Sequence, residues 1–199
     1  MENEEGTEER LEARLIRYAD DFVVLCSGNT GRILKGIKIV LNNLELSLND
    51  AKTKVVDARR EDFNFLGFTI GIERSIRTGR EFPLIRPSKK SLKHIKGEVK
   101  SLTGRTNLAI PTEVVIRKVN EAVRGWVGYF RYGSCSRYMS QMKRYLEERV
   151  QIYLRHKHRK ARRFMSYPYH YLYENLNLYK IPTSAPYTYK LTAKADGRR

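Results

Sequence analysis

The sequence predicts an α+β fold, in which antiparallel strands and one helix are followed by a basic bundle of three helices. Three observations support this fold class. Turn residues separate short apolar runs up to about residue 86, as in antiparallel sheets. From Pro87 onward, apolar residues recur at helical spacing over three long segments. The helical part, residues 86–165, also holds 21 basic and 5 acidic residues and therefore most of the net charge of +17.

The change of character near Pro87 divides the 199 residues into four parts. Residues 1–12 are acidic and polar, and we expect them to be disordered. Residues 13–86 form the β-rich part, and residues 87–165 form the helical part. Residues 166–199 are a tail rich in tyrosine and proline, which we expect to be extended or irregular.

The β-rich part opens with a predicted hairpin over residues 13–26, in which Asp20 and Asp21 interrupt an apolar run. An aspartate pair inside a strand is costly to bury unless a cation compensates its charge. A helix is predicted over 33–46, where apolar residues follow the 3.6-residue period. The remaining elements before Pro87 are predicted strands over 53–56 and 63–70 and a hairpin over 76–85.

Three helices are predicted in the helical part. Their apolar residues recur on one face of each segment, while most basic residues fall elsewhere. The helices run from a Ser88 cap to about Leu102, from Pro111-Thr112 to a stop at Tyr132-Gly133-Ser134, and from Ser136 to about His158.

Composition limits the cellular setting. The sequence has two cysteines, Cys26 and Cys135, without the pairing that a zinc site needs, so we expect reduced thiols. No apolar stretch approaches the length of a membrane span. The acidic N-terminus has neither the apolar core of a secretory signal nor the basic character of a transit peptide. We therefore expect a cytoplasmic protein without an integral membrane segment.

The concentrated positive charge indicates a polyanionic partner. A block with so many basic residues repels itself unless nucleic acid or an anionic surface neutralises it. A basic but passive solvated face is the alternative.

Four blocks along the chain resemble those of group II intron-encoded reverse transcriptase/maturases, and they occur in that family's order. A single tetrapeptide is weak evidence, but four ordered blocks are specific. The resemblance implies that 13–86 is the C-terminal half of a reverse-transcriptase palm and 87–165 the maturase-specific thumb, or domain X. The blocks are Tyr18-Ala19-Asp20-Asp21, Leu48-Asn49-x-x-Lys52-Thr53, Phe65-Leu66-Gly67-Phe68 and Ile116-x-x-x-Asn120-x-x-x-Arg124-Gly125-Trp126-x-x-Tyr129-Phe130.

The resemblance implies catalytic roles for Asp20, Asp21 and Lys52. Nucleotidyl transfer uses two divalent cations about 3.5–4 Å apart, and Mg²⁺ prefers carboxylate oxygens. Neighbouring strand residues point to opposite faces, so only one of the two aspartates can be the principal metal ligand. The resemblance implies that this ligand is Asp20, with Asp21 secondary. Lys52 is implied to lie near the phosphates of the incoming nucleotide. The residues alone also fit a polar hairpin turn without metal and a solvated turn lysine.

Phe65, Leu66, Gly67 and Phe68 resemble the primer grip, where glycine lets the backbone approach the primer end. Phe65 and Phe68 also fit ordinary core positions, and the aromatic residues of the fourth block fit the thumb core. The RNA-binding candidates are basic residues, which supply affinity and position more than sequence readout. They are Lys89, Lys90, Lys93, Lys96, Lys100, Arg124, Arg155, Lys157, Arg159, Lys160, Arg162 and Arg163.

A complete palm needs a further metal-binding aspartate ahead of this hairpin, and only 19 residues precede Asp20. We expect the fingers and that aspartate to be missing, so Mg²⁺ binding would be weak or absent in this chain alone. Open sheet edges and uncovered apolar surface also predict self-association.

The expected function is a maturase fragment that binds group II intron RNA and assists splicing, without autonomous polymerase activity. The alternative is an RNA-directed DNA polymerase that extends a DNA primer only when a partner supplies the N-terminal reverse-transcriptase half. A relic that folds but binds no specific RNA is the third hypothesis.

Overall fold

The computed structural model describes residues 13–49, 51–159 and 167–184. Within these residues, four α-helices and two small antiparallel sheets form a mixed fold of helices and strands. The chain divides between Asp57 and Ala58 into two compact units, the N-terminal unit and the C-terminal unit. In the described part of the chain, no helix is long and apolar enough to cross a membrane. Residues 1–12, for which we expect disorder, lie outside the described residues.

A hairpin opens the N-terminal unit, as the sequence predicts. Strand β1 (Ala13–Tyr18) pairs antiparallel with strand β2 (Asp21–Cys26) in continuous register. Ala19 and Asp20 form the two-residue turn between them.

Both faces of this hairpin carry apolar cross-strand pairs. Leu15 lies opposite Val24 on one face, and Ile16 lies opposite Val23 on the other. Leu15 and Ile16 are 62% and 42% exposed. Strands that are apolar on both faces are typical of sheets covered on both sides. The hairpin therefore has a surface suited to additional packing.

Helix α1 (Thr30–Asn43) follows, and the Asn29 side chain caps it by accepting a hydrogen bond from the Arg32 backbone N–H at 3.1 Å. None of the α1 residues is buried. The predicted strand over 53–56 is wrong, because this stretch has no regular structure and Val55 is exposed. Its β-branched residues give strand propensity, but a strand also needs a neighbour to satisfy its backbone groups.

The C-terminal unit begins with a three-stranded antiparallel sheet. Its strands β3 (Phe63–Phe65), β4 (Phe68–Arg74) and β5 (Glu81–Pro87) lie in sequence order. The predicted single strand over 63–70 is wrong, since a tight turn at Leu66-Gly67 divides it. Both turn residues have left-handed φ angles, 49° and 80°, which a type I′ hairpin turn requires.

Three long helices complete this unit, close to their predicted bounds. They are α2 (Lys89–Leu102), α3 (Thr112–Phe130) and α4 (Ser136–Lys157). The Ser88 side chain caps α2 as predicted, with its Oγ accepting from the Ser91 backbone N–H at 3.1 Å.

The hydrophobic core lies among these helices and residues 167–184, which we call the C-terminal segment. This segment is mostly irregular, as expected, but it contains a short π-helical turn over Tyr171–Asn175. Both cysteines are free, Cys26 exposed and Cys135 buried. The fully buried side chains include Ile95, Val99, Ile116, Val119, Val123, Met139, Met142, Leu146, Tyr153, Leu154 and Leu172.

Candidate nucleic-acid interface

The predicted catalytic aspartates lie at the tip of the β1–β2 hairpin. Asp20 is the second turn residue, Asp21 opens β2, and both are exposed. The first turn residue, Ala19, has a left-handed φ of 49°, and its carbonyl oxygen accepts from Arg17 Nε at 2.8 Å. A two-residue hairpin turn needs such a left-handed residue to match the twist of its strands. The turn therefore places both carboxylates at one solvent-exposed end.

Magnesium binding stays a prediction of the resemblance. The described residues contain no group of three or more His, Cys, Asp or Glu side chains that could hold a metal ion. Asp20 and Asp21 alone do not supply the shared ligands of a two-metal centre, so this part of the chain does not fit one by itself. Lys52 lies in an exposed turn, where its backbone N–H donates to the Asn49 carbonyl at 2.9 Å.

The predicted primer-grip residues form the β3–β4 turn, and this turn packs on α3. Tyr129 Oη donates to the Leu66 carbonyl at 3.1 Å, and the Ser88 backbone N–H donates to the Gly67 carbonyl at 2.9 Å. A Cβ atom on Gly67 would lie 3.2 Å from Phe130 Cζ. Glycine is therefore favoured here both by the left-handed φ and by the close approach of an aromatic ring.

Phe68 joins an aromatic cluster at the end of α3. Its ring stacks on Tyr129 with 5.4 Å between centroids and lies 4.8 Å from the Phe130 ring. Trp126 and Phe130 are buried, whereas Tyr129 is half exposed. These contacts give Phe68 and Gly67 an observed packing role, while contact with a primer stays a prediction.

Five of the predicted RNA-binding lysines lie on α2. Four of them follow the spacing i, i+4, i+7 and i+11 and therefore share one side of the helix; we call Lys89, Lys93, Lys96 and Lys100 the lysine stripe. The stripe extends over roughly 16 Å at the α-helical rise. Lys89, Lys93 and Lys100 are exposed, as is the neighbouring Lys90. These four ammonium groups form no hydrogen bond or ion pair with any other described residue.

Lys96 is the exception in the lysine stripe, because it is half-buried against α4. Its ammonium nitrogen lies 5.4 Å from the centroid of the Tyr145 ring, in cation–π geometry. Tyr145 Oη in turn donates to the Lys96 carbonyl at 2.9 Å. Burial raises the pKa of the Tyr145 hydroxyl. This pair joins α2 to α4.

The predicted basic cluster at the end of α4 divides into different environments. Lys157 Nζ donates to the carbonyls of Leu108, at 3.0 Å, and Ile110, so it holds the loop between α2 and α3. Arg155 is half-buried and Arg159 is exposed. Lys160, Arg162 and Arg163 lie outside the described residues.

Arg149 is a structural cation that sequence reasoning missed. Its guanidinium lies at the C-terminal end of α2, where it donates to Thr103 Oγ1 at 3.1 Å and to the Thr103 carbonyl at 3.3 Å. The last carbonyls of a helix lack intrahelical donors, so a cation there satisfies them and opposes the helix dipole. The sequence indicates only that the last carbonyls of α2 need donors, as those of every helix do. It does not indicate which arginine supplies them.

Asn120 and Arg124, both in the fourth block, hold the C-terminal segment against α3. Asn120 Nδ2 donates to the Asn177 carbonyl at 2.8 Å, and Asn120 Oδ1 accepts from the Tyr179 backbone N–H at 2.8 Å. The Arg124 guanidinium lies over the Tyr179 ring, 5.3 Å from its centroid. Arg124, which is predicted to bind RNA, is exposed and also makes a cation–π contact with one aromatic ring.

A buried acid forms a second attachment of the C-terminal segment. Tyr173 Oη donates to Glu147 Oε1, and Lys143 Nζ lies 3.9 Å from the same oxygen. Glu147 is buried on α4. Burial, together with the hydrogen bond to the Glu147 carboxylate, raises the pKa of Tyr173 strongly.

Part of the amino-acid sequence matches a known family. Residues 92–169 match the model of the maturase-specific domain of group II introns. This stretch is similar to the maturase-specific domain, and we refer to residues 92–169 by that name. A relative from Schizosaccharomyces pombe, an uncharacterized 91 kDa protein in a cob intron, is 24% identical over 135 residues, covering 59% of this chain and 17% of the relative. The two findings support similarity to the C-terminal region of a group II intron maturase, and the chain spans only a small part of that relative.

The maturase-specific domain begins within α2 and includes all of α3 and α4. Its boundaries contain the lysine stripe from Lys93 onward, the Asn120 and Arg124 contacts, and the Arg149 contact to α2. The hairpin with Asp20 and Asp21 precedes the matched residues.

Proposed function

We propose that this chain binds group II intron RNA through helix α2 and the maturase-specific domain, and that it assists the splicing of that RNA. Autonomous polymerase activity is not part of the proposal, since the two-metal chemistry implied by the resemblance needs a further aspartate. The observation that carries the proposal is the lysine stripe on α2. Three of its ammonium groups are exposed and available, whereas Lys157 and Arg149 are engaged by backbone carbonyls.

The lysine stripe is suited to a polyphosphate backbone. Each lysine is a compact point charge on a flexible stem, so it contacts phosphate without requiring one fixed geometry. Regular spacing along one side of a helix gives several contacts to one strand or one groove edge. Each phosphate neutralised releases counterions, which makes the affinity depend strongly on salt.

Binding of the full chain to structured group II intron RNA across a salt series tests the proposal. Replacing Lys89, Lys93 and Lys100 with glutamine is expected to weaken binding and to lower the salt slope by about two to three, one unit or slightly less per lost phosphate contact. A matched variant replaces Arg32, Lys35 and Lys54, three exposed cations outside the maturase-specific domain, and is expected to retain most of the affinity. Equal losses in both variants would contradict a specific role for the lysine stripe.

The splicing role needs its own measurement. The splicing rate of the intron RNA is expected to rise when the wild-type chain is added and to rise less with the lysine-stripe variant. RNA binding without any change in splicing rate would separate the two parts of the proposal and reject the second.

A second candidate function is RNA-directed DNA synthesis in a complex with a partner that supplies fingers and the further aspartate. The exposed position of Asp20 and Asp21 at a hairpin tip, on strands that are apolar on both faces, favours it. Primer extension with an N-terminal reverse-transcriptase half added in trans, in the presence of Mg²⁺, tests this candidate. Extension that disappears with Asp20→Ala would support it, and no extension in the complemented mixture would reject it. Sedimentation of the chain alone would detect the self-association that the hairpin surface also allows.

A further inference from the structure

A groove of about 340 Å³ separates α3 from the C-terminal segment. The groove is open to solvent, and the charged side chains of α3 that line it are exposed. Buried Ile116 and half-buried Leu176 give it an apolar floor, and charged side chains of α3 form one wall. The groove therefore combines an apolar base with polar groups that could orient a ligand.

The charges of this wall balance, unlike those of the surrounding domain. Glu113, Arg117, Glu121 and Arg124 recur along one side of α3, so two carboxylates accompany two guanidinium groups. None of the ion pairs among the described residues joins these four side chains. A phosphate site would carry an excess of positive charge. A groove without net charge instead suits an uncharged, polar ligand.

Arg124 adds a preference for planar ligands. Its guanidinium lies over the Tyr179 ring, 5.3 Å from the ring centroid, and Asn120 holds the Tyr179 backbone by a hydrogen bond. Arginine planes of this kind stack on unpaired nucleobases. The stacking surface is held in place before a ligand arrives, which lowers the entropy cost of binding.

We propose that this groove binds one unpaired nucleobase that carries an exocyclic amino group. The base stacks on Arg124, and its amino group donates to the carboxylate of Glu121, one helical turn away on α3, as cytosine N4 does to acidic side chains elsewhere. Uracil has a carbonyl oxygen where cytosine has the amino group, so it is repelled by the same carboxylate. This inference rests on the proposed function, because RNA is the expected source of the base. A free nucleotide carries the same base and is the alternative ligand.

Two single-stranded oligonucleotides of equal length, oligocytidylate and oligouridylate, test the preference at one salt concentration. The wild-type chain is expected to bind oligocytidylate about tenfold more tightly, the discrimination given by one good base contact. The double variant Glu113→Ala/Glu121→Ala is expected to bind the two oligonucleotides equally. Glu148→Ala removes an exposed acid of α4 outside the groove and is expected to keep the preference.

Cytidine monophosphate and uridine monophosphate, titrated into the full chain and followed by NMR, distinguish the source of the base. Cytidine monophosphate that shifts resonances of the groove and is displaced by oligocytidylate identifies an RNA base as the ligand. If cytidine monophosphate binds but oligocytidylate does not displace it, the groove is a base-binding site whose ligand is a free nucleotide. A wild-type chain without preference, a double variant that retains it, or an equal loss in Glu148→Ala would overturn the inference.

The lysine-stripe variant separates this inference from the proposed function. It is expected to weaken binding of both oligonucleotides alike and to leave cytidine monophosphate binding unchanged. Failure of intron RNA binding with an intact mononucleotide preference would reject only the proposed function. Intact RNA binding without base preference would reject only the groove.

Discussion

The side-chain oxygen of Asn120 accepts a hydrogen bond from the Tyr179 backbone N–H at 2.8 Å, across 59 residues of sequence. The same amide donates to the Asn177 carbonyl. No strand of the described residues pairs with the backbone of this irregular segment at these two groups. The Asn120 side chain supplies the hydrogen-bond partners instead.

Asn120→Ala is expected to lower the free energy of unfolding by about 1–2 kcal/mol, because two hydrogen bonds are lost and backbone groups remain without partners. Urea denaturation measures the loss. Asn120→Asp, which keeps only the acceptor, should fall between wild type and alanine. Gln141→Ala, which removes an exposed amide from α4, should have little effect on stability. A similar loss of unfolding free energy in this variant would argue against a stabilising role for the Asn120 hydrogen bonds.

Gly67→Ala and Gly97→Ala are expected to change stability in opposite directions. At Gly67 the left-handed φ and the Phe130 ring both oppose a Cβ atom, so a loss of about 1–3 kcal/mol is expected. Gly97 lies inside α2, where a Cβ atom would meet no neighbouring group within 4 Å, so alanine should stabilise the helix by about 0.5–1 kcal/mol. Thermal unfolding measures both, and a neutral Gly67→Ala would contradict the close approach.

Lys157 and Lys93 are expected to separate folding from RNA binding. Lys157→Met keeps the aliphatic stem but removes the donors to Leu108 and Ile110, for a loss of about 1–3 kcal/mol in unfolding free energy. Lys93→Met should change stability by less than about 0.5 kcal/mol, as exposed surface substitutions do, and should weaken RNA binding. Denaturation and filter binding on both variants give the comparison. If Lys93→Met lowered stability and Lys157→Met weakened only RNA binding, Lys93 would be the structural residue and Lys157 the RNA-binding one.

Tyr173 is expected to make the fold sensitive to alkaline pH. Its pKa is raised in the folded state, mainly by burial and also by the Glu147 hydrogen bond, so the unfolded state loses the proton first. The stabilisation is fully present below the ordinary tyrosine pKa of about 10 and is lost as pH rises toward the folded value. Tyr173→Phe should be less stable at neutral pH and should show a smaller decline above pH 10. If the variant loses stability above pH 10 as steeply as the wild type, groups other than Tyr173 cause the alkaline loss of stability.

Local sequence signals predicted the elements that need no distant partner. The apolar period of α2, α3 and α4 and the Ser88 cap act within one helix, so their bounds were correct to within one or two residues. The β1–β2 hairpin was also predictable, because a polar pair interrupts two apolar runs. Strand propensity failed over 53–56, where none of the strands in the described ranges pairs with this stretch.

The candidate site was only partly predictable, because many of its contacts join residues that are far apart in the sequence. Sequence composition found the α2 lysines, since charge density needs no knowledge of contacts. It could not show that Lys157 is held by carbonyls 47 and 49 residues away, or that Arg124 makes a cation–π contact with Tyr179. Nor did it give a role to Arg149 or Glu147, whose partners are brought close only by tertiary packing.

The contacts between the three-stranded sheet and α3 affect how the maturase-specific domain can be isolated. The family match begins at Leu92, yet the compact unit that contains it begins at Ala58. A fragment cut at Leu92 would uncover the Phe130 ring where Phe68 now packs and would remove the Ile85 carbonyl that accepts from the Ser134 backbone N–H at 2.8 Å. Expression trials and crystallisation should therefore start at Ala58, because the boundary recognised by homology cuts through a physically continuous core.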